Sequence, residues 1–310
     1  MQKNQTTVTE FILVGFSDHP ELQIPLFIFF LLIYVINVVG NIGIIILTIT
    51  DAKLQTPMYF FLRNLSFVDI GFSTTIAPKL LTDLVTQHST ISFTGCATQF
   101  FFFGIFVTAE ACILAVMAYD RFIAICYPLQ YFVVMSKKLC IQFVTIVYIL
   151  GIFNATAHTI VIFTLDFCNS DTINHFFCDA PPLLSLSCSD TQLAHIVNFI
   201  LSTFFGGTTF LIILISYIAI VIAILKISSA QGRKKAFNTC ASHLTTVSIF
   251  FGTVISMYSR PSSISLDKDK ITSIFYTLII SSLNPFIYSL RNKDVNDAIS
   301  RLLEKITLLK

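Results

Sequence analysis

The sequence predicts an all-α membrane protein: a bundle of seven transmembrane helices followed by a short amphipathic helix on the cytoplasmic side. Three observations carry that prediction. Hydrophobic residues fill 55% of the 310 positions, charged residues only 12%, and the mean hydropathy is +0.81, which is too apolar for a soluble domain of this size. Charge-free windows near the ~20 residues that a helix needs to cross hydrocarbon recur along the chain. They run over 23–50, 84–109, 139–165, 191–225, 236–259 and 271–290, and a seventh apolar run, 58–81, is interrupted by Asp69. With the N-terminus outside, fourteen lysines and arginines fall in or near inner segments and five outside, the bias that orients a multi-pass protein.

Taken in order, residues 1–22 are polar and form an extracellular N-terminus. They lack the charged start, apolar core and small-residue cleavage site of a signal peptide. Asn4 heads an Asn-Gln-Thr glycosylation sequon in this segment, whereas the sequons at Asn64 and Asn154 fall inside spans. The bundle covers 23–291, with spans at about 23–50, 58–81, 92–126, 139–165, 191–226, 236–260 and 271–291. Pro57 suits the first turn of the second span. The segment from Asp166 to Asp190 holds four aspartates and no basic residue, so it is placed outside.

Of eight cysteines, Cys112, Cys126, Cys140 and Cys240 lie in or near apolar helices and read as packing residues. Cys96, Cys168, Cys178 and Cys188 lie on the oxidising side, where three connectivities are open. The tail, 292–310, repeats Val295, Ala298, Ile299, Leu302, Leu303 and Ile306 at helical spacing, with Lys293, Arg301 and Lys305 interleaved, as expected of a helix on the inner leaflet. It contains no cysteine to acylate.

Asp69 and Glu110 lie within spans with no basic residue at their depth. A lone buried carboxylate protonates, binds a cation or faces water, so two of them imply a polar pocket. Glu110 precedes Arg121 by eleven residues, about three helical turns, so both face the interior. Asp120 and Arg121 follow an uncharged run and belong where lipid gives way to water. Arginine stays ionised, and a neighbouring carboxylate can hold it in one state and release it in another. Pro285 removes a helical hydrogen bond and makes a hinge in the last span. Outward from Glu110, the same helix face carries Val107 and Phe103, with Thr108 and Gly104 at its edge.

The stretch Met117–Leu129, MAYDRFIAICYPL, resembles the DRY region of rhodopsin-like G-protein-coupled receptors and in particular that of vertebrate odorant receptors. Further matches, Gly40-Asn41, PMYFFL from Pro57, LSFVD ending at Asp69, Ser216-Tyr217, KAFNTCASHL from Lys235 and NPFIYSLRN from Asn284, bring the resemblance to six of seven helices in order. Asn238 and Phe122 depart from the usual serine and tyrosine.

The resemblance implies disulfides Cys96–Cys178 and Cys168–Cys188. It implies an ion or proton pocket in which Asp69 and Glu110, with Asn41 and Asn284 nearby, hold Na+ or a shared proton. It places Ser202 and Phe205 of the fifth span, Phe251, Val254, Ile255 and Tyr258 of the sixth, and Ile274 and Thr277 of the seventh opposite the Phe103–Thr108 wall, enclosing a chamber for a small, mostly hydrophobic odorant. It makes Tyr217 and Tyr288 inner-side tyrosines that meet when the bundle opens, and His243 a local hydrogen-bond switch. The base of the sixth span is Arg233, Lys234 and Lys235, so Arg121 would meet like charge there, and Asp120 is its expected partner. The implied partner is a stimulatory, olfactory-type heterotrimeric G protein that raises cyclic AMP, and the implied place is the plasma membrane with the C-terminus cytoplasmic. Phe103 stands where amine receptors carry an aspartate, and no lysine lies between Lys270 and Arg291, so amine ligands and a retinal Schiff base are disfavoured.

A cation-coupled transporter or ligand-gated channel using the two acids is the rival reading, without inverted repeats or paired broken helices in the sequence to support it. No nucleophile with a base, and no metal-ligand cluster, points to an enzyme, and no basic run points to nucleic acid. No cofactor is expected beyond a bound Na+.

Overall fold

The structure is a computed structural model that describes residues 8–16, 20–86, 89–168, 170–258, 270, 272–290 and 293–308. Asn4, and with it the glycosylation expectation, lies outside these residues. Among them the main helices are α1 (Gln23–Thr50), α2 (Pro57–Thr86), α3 (Phe93–Cys126), α4 (Tyr131–Val134), α5 (Lys137–Phe163), α6 (Ala180–Leu186), α7 (Gln192–Leu225) and α8 (Ala230–Tyr258). A π-helical turn, Phe275–Ile279, leads into α9 (Ile280–Leu290), and α10 (Lys293–Leu308) follows. By length and composition α1, α3, α5 and α7 can each cross a membrane alone, and two bent pairs, one within α8 and one joining Thr272–Ser289 to the tail, pass the same test. Helix α2 is long enough at 30 residues but carries Arg63, Asp69, Lys79 and Asp83.

Local chemistry sets the ends. Ser92 and Ser136 take extended backbone, and their hydroxyls accept from the Gly95 and Leu139 amides at 3.0 and 3.4 Å, capping α3 and α5. Pro57 begins α2, where its missing N–H costs nothing. Two boundaries differ from expectation because charge ends an apolar window without ending a helix. Helix α2 continues past 81 to Thr86, helped by a Lys79–Asp83 ion pair one turn apart. Helix α8 begins at Ala230, not 236, and carries Arg233 and Lys234 on exposed turns.

Helix α3 is the hub, packed against α2, α5, α7 and α8. In lipid, apolar burial does not by itself favour helix association, so close approach of backbones must. At the α3–α5 seam a Cβ on Gly104 would sit 3.1 Å from Ala155 Cβ, and one on Gly151 would sit 3.0 Å from the Ile105 carbonyl oxygen. A side chain at either site would require the facing helix to give by a few tenths of an ångström.

The outer end is closed by a three-stranded sheet that the sequence reading did not anticipate. Strand β1 (Glu10–Leu13) is central, antiparallel to β2 (Thr90–Ser92) and parallel to β3 (Thr172–Ile173). Its alternation buries Phe11 and Leu13. The Phe11 ring meets Phe93 and Phe167 at centroid distances of 6.0 and 5.4 Å. The disulfides Cys96–Cys178 and Cys168–Cys188 are both formed, with Cα separations of 5.7 and 5.8 Å. The first ties the top of α3 to the loop before α6. At the other end the tail turns by 88° from the last span. Its Arg301 grips Asp51 at 2.6 and 2.9 Å, and that bond holds the Asp51 carboxyl below its ordinary range.

Candidate functional site

The acid pocket lies at mid-bundle. Asp69 of α2 and Glu110 of α3 are fully buried, and Glu110 is within electrostatic reach of Asp69. The Asn284 amide of α9 donates to Asp69 Oδ2 at 2.9 Å. Asn41 of α1 instead donates to the Asn37 and Ser281 carbonyls at 3.1 and 3.2 Å, so it joins the pocket's wall without touching either acid through that amide. Each of these four residues has a buried oxygen without a hydrogen-bond partner among the described residues: Asp69 Oδ1, Glu110 Oε1, Asn41 Oδ1 and Asn284 Oδ1. Hard oxygen donors with unused lone pairs suit a small hard cation, and two adjacent carboxyls suit a shared proton. The residues present therefore fit the Na+ that the resemblance implies.

At the inner mouth Arg121 is buried, with Nε 4.0 Å from Asp120 Oδ2. Asp120 Oδ1 accepts from the Tyr131 hydroxyl of α4 at 2.8 Å. His243 of α8 reaches two helices at once. Its Nε2 lies 3.1 Å from the Leu114 carbonyl of α3, which can only accept, so Nε2 carries the proton. Its Nδ1, 2.7 Å from the Tyr217 hydroxyl of α7, then accepts. The adjacent Ser242 donates to the Ile287 carbonyl of α9 at 2.9 Å. Two neighbouring side chains thus tie α8 to three helices. Tyr288 is buried, and Tyr217 is engaged with His243.

The outer wall is only partly as expected. Phe103 is buried, its ring 5.3 Å from Phe72 and 5.2 Å from Phe177 of the outer loop. Val107 packs on the main core, as does Val254. Gly104 and Thr108 turn toward α5: Gly104 abuts Ala155, and Thr108 accepts from the Asn154 amide at 2.9 Å. The edge of the α3 face therefore belongs to a helix seam, because a small residue there lets α5 approach. Phe205, Phe251 and Ile274 are buried, and Thr277 donates to the Ser273 carbonyl. Ser202 is exposed and Ile255 is 52% exposed, so neither is enclosed. The Tyr258 side chain lies outside the described residues. A cavity of about 550 Å³ opens between α3, α5 and α7, and of the expected chamber residues only Phe205 lines it.

Six long helices and a last span built from the π-helical turn and α9, among the described residues, surround this centre. The model of the family described as "Olfactory receptor" matches residues 30–305. The chain belongs to the olfactory receptor family. Olfactory receptor 5AR1 of Mus musculus is 57% identical over 305 residues, covering 98% of each chain, and its Homo sapiens namesake is 55% identical with the same coverage. Squid rhodopsin matches in fold with a TM-score of 0.72 at 21% identity, over 93% of this chain and 87% of that one. The protein is a multi-pass membrane receptor and not an enzyme.

Several residues of this receptor were not singled out from sequence. Tyr131 holds Asp120 from eleven residues away across a turn, and only its proximity after the proline hinted at it. Asn154 was noted as a sequon and is in fact a buried partner of Thr108. In the outer loop His175 is buried with Nε2 3.1 Å from the Ser273 hydroxyl, and burial with the nearby Lys270 charge pushes its imidazole down to about 3. Asp179 caps α6 by accepting from the Ala180 amide at 2.8 Å, and burial pushes its carboxyl up to about 6.

Proposed function

We propose that this receptor binds small, mostly hydrophobic odorants in a chamber on the outer side of the acid pocket and activates a stimulatory, olfactory-type G protein that raises cyclic AMP. The protein works in the plasma membrane, with residues 1–22 outside and 292–310 inside. The observation that carries the reading is the double tie of α8 through Ser242 and His243 beside the buried Arg121. These are single hydrogen bonds, each worth roughly 0.5–1.5 kcal/mol net, so ligand binding of ordinary strength can reverse them. An odorant acts by binding the open arrangement more tightly than the closed one. As α8 swings out, Arg121 leaves Asp120 and faces a cytoplasmic cleft.

In the closed arrangement Asp69 and Glu110, with Asn284 on Asp69 and Asn41 in the wall, would hold Na+ or a shared proton. Either supplies positive charge between two carboxyls and so stabilises the packed centre. Pro285 packs beside it inside α9: its ring lies 3.1 Å from the position a Cβ on Gly40 would take.

The test is surface expression of the receptor with an odorant panel and a cyclic-AMP readout. Wild type responds, and Arg121→Gln loses the response while keeping surface level and ligand-induced thermal stabilisation. Odorant-evoked current in cells lacking G proteins, with no cyclic-AMP rise in cells containing them, would overturn the reading in favour of a channel.

A further inference from the structure

The cavity between α3, α5 and α7 belongs neither to the inner mouth nor to the acid pocket. Its volume of about 550 Å³ is that of a small-molecule site. Cys112 and Val116 of α3, Val147 and Leu150 of α5, and Phe205 of α7 make its walls apolar, and Thr209 turns its hydroxyl onto the Phe205 carbonyl at 2.8 Å. The mouth opens sideways, past Ile146 of α5 and Phe204 and Ile212 of α7, all of them exposed. Exposed apolar side chains within a span face hydrocarbon, so a guest enters from the bilayer.

One turn outward the walls change character. Thr108 precedes Cys112 by four residues and Asn154 follows Leu150 by four, so each continues the stripe of its helix that faces the cavity. The two meet across the seam, where the Asn154 amide donates to Thr108 Oγ1 at 2.9 Å. Thr108 gives its own proton to the Gly104 carbonyl at 2.8 Å, so its oxygen can only accept from Asn154. That fixes Nδ2 on the Thr108 side and turns Oδ1 away. Asn154 is 7% exposed, and its Oδ1 has no hydrogen-bond partner among the described residues. A buried carbonyl oxygen needs a donor, and hydrocarbon supplies none.

We propose that the cavity is a second ligand site of this receptor, entered through the bilayer, and that its ligand is a small apolar alcohol whose hydroxyl donates to Asn154 Oδ1. The walls take a hydrocarbon body. The lone acceptor selects against ethers, ketones and esters, which cannot donate, and a carboxylate or ammonium would bring an unpaired charge. Asn154 lies nine residues before the end of α5 at Phe163, about 14 Å along the axis. That is near the middle of a hydrocarbon layer of about 30 Å, whereas a sterol or phospholipid keeps its polar head at the interface. The alcohol is therefore small enough to submerge. Among the described residues only α3, α5 and α7 line the site, so it stands apart from the sixth and seventh spans of the outer chamber.

The test uses the full-length receptor in nanodiscs of zwitterionic phospholipid and octan-1-ol carrying a photoreactive diazirine on its chain, with labelled residues located by mass spectrometry. Label should fall on Cys112, Val147, Leu150 and Thr208. Octan-1-ol should displace it roughly tenfold more strongly than octyl methyl ether, a difference of about 1.4 kcal/mol. Asn154→Leu should keep the labelled positions and bring the alcohol down to the level of the ether. Thr208→Phe, at the exposed rim, should abolish labelling of the cavity. Should Asn154→Leu fail to fold, the wild-type comparison of alcohol with ether and the Thr208→Phe variant still decide.

Equal displacement by alcohol and ether in wild type, or an alcohol preference that survives Asn154→Leu, would overturn the assignment. So would label spread over the lipid-facing residues of every helix without displacement, the mark of octanol dissolved in the bilayer. Label confined to the outer chamber, at Phe103, Phe251 or Ile274, would overturn the second site and leave the odorant-binding reading standing.

Discussion

Tyr131 shows how a single hydroxyl can set the tension at the inner mouth. It donates to Asp120 Oδ1 at 2.8 Å, while Arg121 stands 4.0 Å from Oδ2, so the carboxylate is shared and the arginine is held loosely. A hydrogen bond to a charged group is worth roughly 1.5–3 kcal/mol. In Tyr131→Phe the carboxylate keeps only Arg121, the closed pairing tightens, and odorant-evoked cyclic AMP should fall by about tenfold in potency. A concentration–response curve measures it, and an unchanged or stronger response would show that Tyr131 does not restrain the pair. Asp120 and Arg121 were legible because charge at the end of an apolar run is conspicuous. Tyr131 was not, since an aromatic residue in a short connection carries no pattern that names its partner. The same holds for Asn154, which the sequence placed inside a span without naming a partner, and whose amide reaches Thr108.

Among the elements, the long helices were readable and the outer cap was not. Hydropathy reports on lipid, so it found the helices, but it misplaced the ends of α2 and α8, where Lys79–Asp83 and the Arg233–Lys234 turns extend the backbone beyond the apolar stretch. Strand β1 is four residues long and takes its partners from segments about 80 and 160 positions away, too far for local pattern to reveal. The loop beneath it contains two buried titratable groups with opposed effects. The His175 imidazole is depressed from 6.5 to about 3, so between those values the unfolded loop binds more protons and acid weakens the folded form. The Asp179 carboxyl is raised from 3.8 to about 6, so in that range the folded loop binds more protons and acid strengthens it. From pH 7 to about 5 the two largely offset. Asp179→Asn keeps an oxygen to cap α6 but removes the second titration, so this loop should lose hydrogen-exchange protection on acidification where wild type changes little. Equal pH profiles for the two proteins would show that Asp179 does not take up its proton in the folded loop over this range.

Across the whole molecule, the two ends are held by different kinds of bond. The outer end is fixed by two disulfides and a sheet, whereas the ties described at the inner end are side-chain hydrogen bonds, among them those of His243, Ser242, Tyr131 and Arg63, and the ion pairs Arg121–Asp120 and Arg301–Asp51. On the proposed function, opening at the inner end breaks the fewest covalent and sheet ties, and the acid pocket lies between the two ends. If that pocket stabilises the closed bundle by holding a cation, free energy of binding is added to the closed state alone and grows with sodium concentration as RT ln(1 + [Na+]/Kd). At a hundredfold excess over Kd this is about 2.7 kcal/mol, which for a chain this long raises the melting temperature by a few degrees. The purified receptor should accordingly melt higher in sodium than in an equal concentration of N-methylglucamine. Asp69→Asn and Glu110→Gln should each flatten that dependence, whereas Asn41→Ala, whose amide points to backbone carbonyls, should retain part of it. Equal melting in both salts for wild type would remove the ion from the pocket and leave the two carboxyls to a shared proton, in which case the double variant Asp69→Asn/Glu110→Gln would lose whatever pH dependence of melting the pocket confers on wild type.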